Sequence, residues 1–258
     1  MRLASPFEWI GELSLTYLEE IGDGFLLLVR VVRGVFHRPV PFRLTIQQME
    51  EVGVRSLPVV LITGLFTGAV LALQTFSGFK RFGAEGLVGT VVALSMTREL
   101  GPVLASIMVA GRVGSAMAAE LGTMKVTEQI DALVTLATDP VRYLVVPRFI
   151  AAMIMLPFLV VFADLIGIIG GYLVSVTILG TSSAIYVNRT LQYLEFSDIT
   201  AGLFKASIFG MIIALVGCHM GFHASGGAEG VGRATTRAVV GASILILIFN
   251  YFLTAFMF

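Results

Sequence analysis

Five apolar stretches constrain this chain more than any other feature, at about residues 57–79, 87–111, 149–179, 199–221 and 238–258. Each has the ~20 residues a helix needs to cross the hydrocarbon core of a bilayer. Backbone polar groups find no water in lipid, so only helices or closed barrels can span it, and continuous apolar runs of this length predict helices. The expected fold is therefore all-α and integral to a membrane, with five transmembrane helices. Composition agrees, since 57% of residues are hydrophobic and 13% charged, against about 25% charged in soluble domains. A formal net charge of +0 removes the electrostatic case for a nucleic-acid partner. A single cysteine, Cys218, excludes an intrachain disulfide framework.

The first 45 residues read differently. Residues 7–21 place Phe7, Ile10, Leu13, Tyr17, Leu18 and Ile21 at helical spacing, while residues 24–36 are apolar, too short to span, and carry Arg30 and Arg33. Both suit helices lying in the interface, where arginines reach headgroups and Trp9 is at home; a short spanning helix is the alternative for 24–36. Glu8 and Glu12 have no continuous apolar core around them, so this stretch is not expected to be a secretory signal. The expected organisation is an N-terminal interfacial helical element over 1–45 and one transmembrane domain over 46–258. Lys and Arg crowd the N-terminal region and the connections 112–148 and 222–237, whereas Lys80, Arg81 and Arg189 are all the opposite side offers. The positive-inside rule then puts the N-terminus in the cytoplasm, and an odd number of spans puts the C-terminus outside.

Residues 96–122 hold an Arg, a Glu and a Pro inside membrane-length apolar sequence. A charge at the bilayer centre costs about 2.5–3.5 kcal/mol on insertion scales, so Arg98 and Glu99 need partners, a cavity or a function. Helix neighbours point about 100° apart and cannot simply neutralise each other. Pro102 has no N–H for the carbonyl four residues back, which is that of Arg98, and Gly101 stands beside it; a kink is expected at this point. The fourth stretch carries a ladder of small residues, Gly202, Ala206, Gly210, Ala214, Gly217 and Gly221, suited to close helix packing. Lys205 lies one residue off that ladder and is the expected partner of Glu99, the alternative being a lysine that reaches the outer headgroups. Asp164, near Gly167, Gly170 and Gly171 in the third stretch, is a second buried-charge candidate, or a hydrogen-bonding residue to a neighbouring helix.

Catalytic chemistry is not evident. There is no G-x-x-x-x-G-K-[ST] loop, so no nucleotide is hydrolysed that way. His219 and His223 have i, i+4 spacing but no nearby third ligand, and the Ser225-Gly226-Gly227 turn lies in a loop rather than at depth with a base. Neither a catalytic nor a metal site is expected. The connection 120–148 is more informative: Thr127, Glu128, Ile130, Asp131, Leu133, Val134 and Leu136 form a mixed polar and apolar helix ended by Asp139-Pro140. On pattern alone it is either a docking surface for a soluble partner or an interfacial helix of the bundle.

Five motifs in order, REL-GPV at 98–103, AGR-x-GSA-x-x-AELG at 110–122, TEQIDAL at 127–133, DPVRYLVVPR at 139–148 and GRATTRAVV at 232–240, resemble the MlaE family. These are membrane permeases of ABC-type phospholipid transporters that work with MCE proteins. The resemblance runs from about residue 40 to the C-terminus and implies a homodimer in the bacterial inner membrane, a cytoplasmic ABC ATPase subunit and a periplasmic MCE-domain protein. It implies a non-catalytic subunit without its own cofactor, ATP and Mg being bound by the ATPase. It also implies that 120–137 is a coupling helix, with Glu120, Lys125, Glu128 and Asp131 facing the ATPase. Arg98, Glu99 and Lys205 match the family's lipid pocket, and a phosphate suits the planar, permanently charged guanidinium of Arg98. The alternative from another class is an ion-coupled secondary transporter with Asp164 and Glu99 carrying protons; such proteins often contain two related halves, and none is visible here.

Overall fold

The computed structural model describes residues 6–36 and 42–257, and every regular element among them is helical. In chain order these are α1 (Pro6–Phe36), α2 (Phe42–Val52), α3 (Leu57–Phe79), α4 (Val88–Ser95), α5 (Gly101–Val109), α6 (Ser115–Val126), α7 (Gln129–Thr135), α8 (Val146–Thr177), α9 (Ser183–Tyr193), α10 (Phe196–Phe222) and α11 (Gly227–Met257). Five runs are long and apolar enough to cross a membrane: Phe42–Phe82, Glu85–Val126, Val141–Thr177, Phe196–Phe222 and Gly227–Met257. The fold is an all-α integral membrane bundle. Each run except the third and last extends past both ends of the apolar stretch that predicts it, because helix continues into polar flanks once tertiary contacts support it.

α8 and α10 form the centre, and small residues set how closely the others approach. α3 buries one stripe, Val60, Gly64, Gly68 and Ala72, against α8. A Cβ at Gly68 would collide with the carbonyl of Gly167, and one at Gly64 would come within 2.8 Å of that of Ala163. Along α10 the predicted ladder is buried throughout. Gly202 meets the carbonyl of Thr97, Gly210 that of Ala152 and Gly217 that of Gly114, so one helix binds the second and third spans backbone to backbone. α11 packs through Gly230, Ala234, Ala238, Ala242 and Ile246, leaving Ile244, Leu247, Ile248, Tyr251, Phe252 and Phe256 exposed.

Three local expectations differ from the structure. Residues 7–21 and 24–36 are one helix, α1, not two. Gly22 and Gly24 have open space around them, and a mid-helix glycine costs about 1 kcal/mol relative to alanine without ending a helix. α1 buries Leu27 and Val31 and packs on the start of the third span and on α10; it is not among the five spanning candidates. The helix expected to run to Asp139-Pro140 stops at Thr135, followed by Ala137 at φ 54°. The Asp139 carboxylate instead accepts the Val141 N–H at 3.0 Å, so Asp-Pro opens the third span as a cap and first-turn proline. α9 had no counterpart in the sequence reading; it docks Tyr186 and Thr190 against Gly89 of α4.

Candidate functional site

The second span is not a uniform α-helix. Residues Met96–Leu100 form a π turn, closed by the Gly101 N–H on the Met96 carbonyl, and Pro102 sits in the first turn of α5. The missing proline N–H frees the Arg98 carbonyl, as its position predicts. Lys205 takes that carbonyl, donating to it at 2.9 Å. The expected kink residues, Gly101 and Pro102, therefore mark a widened turn with a side chain inserted into its hydrogen-bond ladder, a recognised cause of helix distortion.

Lys205 is fully buried, yet all three ammonium protons have acceptors: the Arg98 carbonyl, Glu99 Oε1 at 2.7 Å and Thr254 Oγ1 at 2.8 Å. The predicted Lys205–Glu99 pair is thus formed. Thr254 shares its own proton between Glu99 Oε1 and the Asn250 carbonyl, each at 2.8 Å. Asn250 donates to Glu99 Oε2 at 2.8 Å. Glu99 is held through both oxygens by α10 and α11, so three spans meet at this carboxylate.

Arg98 faces another way, as the helix geometry requires. Its Nε and Nη2 both donate to Asp198 Oδ1, at 2.7 and 2.6 Å. Asp198 is 1% exposed while the arginine side chain is 39% exposed. Asp198 is also locked at the start of α10, where Oδ2 accepts the Glu195 N–H at 3.1 Å within a reciprocal capping box. The sequence reading missed Asp198, Asn250 and Thr254. The last two stand at i, i+4 on an apolar helix, a polar pair that could have been read, and Glu195-x-x-Asp198 is itself a cap signature.

Asp164 approaches the same turn from α8. It is buried, its Oδ1 has no hydrogen-bond partner among the described residues, and a Cβ on Gly101 would collide with it. The carboxylate therefore backs the π turn without joining the Lys205 cluster.

At the other end of the span, a second π turn, Ala110–Gly114, directs Arg112 to the Glu51 carbonyl and Ser56 Oγ at 3.0 Å and to Glu51 Oε1 at 3.1 Å. The four residues expected to couple to an ATPase are not one cluster. Glu120 pairs with buried Arg148 at 2.8 Å, Lys125 pairs with Asp131 at 3.1 Å, and Glu128 forms the left-handed turn (φ 60°) between α6 and α7. Glu128, Asp131, Val134 and Leu136 are exposed. His219 and His223 are in contact, with ring centroids 4.3 Å apart and planes tilted by 46°, and no group of three or more His, Cys, Asp or Glu among the described residues could hold a metal ion.

The family described as permease MlaE matches residues 45–256. The chain belongs to the MlaE permease family. A probable ABC transporter permease protein of Rickettsia conorii is 52% identical over 249 residues, covering 96% of each chain. The intermembrane phospholipid transport system permease protein MlaE of Haemophilus influenzae is 38% identical over 250 residues, again 96% of each chain. The chloroplastic protein trigalactosyldiacylglycerol 1 of Arabidopsis thaliana is 41% identical over 232 residues, covering 90% of this chain and 65% of its own. This MlaE-family chain is a multi-pass membrane permease, a non-catalytic subunit, and the buried cluster at its first π turn lies within the matched region.

Proposed function

We propose that the chain is the permease subunit of an ATP-driven ABC transporter that moves phospholipid between the bacterial inner membrane and a periplasmic MCE-domain protein. It works as a homodimer with its N-terminus in the cytoplasm, its C-terminus in the periplasm, and a cytoplasmic ATPase that binds ATP and Mg. The observation that carries the reading is the charged assembly at membrane depth: a fixed Lys205–Glu99 pair beside a partly exposed Arg98 held on buried Asp198. A phospholipid needs a largely apolar site with few placed charges, and Arg98 is the group suited to its phosphate. Glu99 and Lys205 hold the turn in register. Arg98 and Glu99 are each about one-third exposed on one subunit, a face that a second copy can complete.

The Haemophilus relative is named for intermembrane phospholipid transport and the Rickettsia relative for an ABC transporter, which supports lipid cargo and an ATPase partner. The ion-coupled alternative asks Glu99 to exchange protons, and the donors clamped on both its oxygens argue against that role. The test is lipid transfer from vesicles holding the reconstituted complex. Arg98→Lys keeps a charge for Asp198 but loses the planar fork, and transfer is expected to fall about tenfold or more with assembly intact. Unchanged transfer would remove Arg98 from the lipid site, and purification without any ATPase would remove the ABC reading.

A further inference from the structure

A second polar site lies at the far end of the bundle from Arg98. A cavity of about 440 Å³ is walled by Asp23 of α1, His219 and His223 at the end of α10, Ser225 in the turn, and Arg233 and Arg237 of α11. The two arginines are one helical turn apart and so share a face. A smaller cavity of about 190 Å³ has Asp23, His219 and His223 in its wall too, but its other walls are Leu26, Leu27, Val141 and Phe222, with Arg30. The histidine pair thus separates a chamber with two guanidiniums from one that is mostly apolar. Phe222 is the last residue of α10, so the two chambers straddle the end of a span, where hydrocarbon gives way to headgroups.

A polar chamber beside an apolar one at that depth, with Asp23, His219 and His223 in the wall of both, fits an amphipathic anion. Arginine gives phosphate paired, charge-assisted hydrogen bonds. The acids that now face the bases, Glu229 at 2.9 Å from Arg233 and Asp23 at 3.8 Å from His223, are exposed side chains; such pairs are worth little and yield to a stronger ligand. We propose that the two adjoining cavities are a second phospholipid site, with the phosphate against Arg233 and Arg237 and an acyl chain against Leu26, Leu27 and Phe222. Only the class of ligand rests on the lipid-transport reading above. His219 lies 14 residues beyond Lys205 on one helix, which separates the two sites by about 21 Å along α10. The helix whose buried lysine orders the Arg98 turn therefore also forms the wall of the second site, so the same rigid element supports both sites.

The test uses the full chain in its complex, in nanodiscs containing phosphatidylglycerol with a photoreactive acyl chain. Labelling is expected on α1 near Leu26 and on α10 near Phe222. Arg233→Gln combined with Arg237→Gln should lower it about tenfold. Leu26→Trp fills the apolar chamber from an exposed position and leaves both arginines in place, so it should lower labelling too, with the complex still eluting as one species. Labelling unchanged in both variants overturns the proposal. If inorganic phosphate displaces the probe as well as phosphatidylglycerol does, the site is one for soluble phosphate and the lipid assignment falls. Arg98→Lys separates the two readings: transfer lost with this labelling kept leaves both standing, labelling lost with transfer still sensitive to Arg98 rejects only the second site, and transfer insensitive to Arg98 with labelling kept rejects only the first.

Discussion

The second span contains two π turns that each release an arginine, and their surroundings give those arginines different work. At Ala110–Gly114 the side chain of Arg112 is bound within one short neighbouring segment, by Glu51 and Ser56. That is a staple between adjacent helices. At Met96–Leu100 the partners come from α10 and α11, a buried lysine occupies the carbonyl released by Pro102, and Arg98 ends half-exposed on a buried aspartate. A π turn by itself therefore does not mark a site. What distinguishes the first is a proline that opens the ladder and a charge from another span that fills it.

The strongest way to break this comparison is to remove that filling charge. Lys205→Met leaves Glu99 without its cation, and stranding one member of a fully buried pair costs about 3–5 kcal/mol; the partial exposure of Glu99 puts the loss toward the lower figure. Loss of monodisperse protein and a steep fall in thermal stability are expected. Adding Glu99→Gln should recover much of the stability, because a neutral amide can still meet Asn250 and Thr254, while lipid transfer stays low. If the double variant is no more stable than Lys205→Met alone, the pair is not the keystone of the turn.

Arg112→Gln tests the other half. Hydrogen bonds to a charged group contribute about 1.5–3 kcal/mol, and Glu51 keeps Arg55 at 2.7 Å, so no carboxylate is stranded. The expected loss of stability is of that size, with lipid transfer per folded complex unchanged. Lower transfer at equal folding would make the second turn part of the pathway. Pro102→Ala is milder for the fold. It returns an N–H able to reach the Arg98 carbonyl, in competition with Lys205, and the stability change should be within about 1 kcal/mol. Transfer should nonetheless fall as the π turn tightens toward α geometry; retained transfer would show that the widened turn is dispensable.

The bundle was legible because length and apolarity are enough to identify a spanning helix, and a distortion near residue 98 because Pro102 stands four residues after a charged residue whose carbonyl it must release; a kink was the expected form, and the π turn was not. The Lys205–Glu99 pair could be anticipated since few other charges share that depth. Asp198, Asn250 and Thr254 could not be tied to the site by spacing, as they meet residues 98 and 99 from about 100 and 150 positions away. α9 escaped for another reason. It buries only Tyr186 and Thr190, too few apolar positions to separate it from a loop. The continuity of α1 through Gly22 and Gly24 likewise depends on packing of Leu27 and Val31 that periodicity does not report.

The smallest effect on the fold is expected at the connection between α6 and α7. Glu128 is exposed in a left-handed turn, and Asp131 makes only a half-exposed pair with Lys125, the kind worth about 0–1 kcal/mol. Charge reversal at both, Glu128→Lys with Asp131→Lys, should leave stability within that margin. Glu120 is the useful contrast, because it serves buried Arg148 and its loss should act on the fold. If the exposed face with Val134 and Leu136 grips the proposed ATPase, the reversed chain will fold, keep its lipid and fail to retain the ATPase in a detergent pull-down. Full retention would move the docking surface elsewhere and leave α7 as a helix of the bundle's own interface. The Arg98 turn would be untouched by that result, since nothing in the ion pairs at residues 120–131 reaches it.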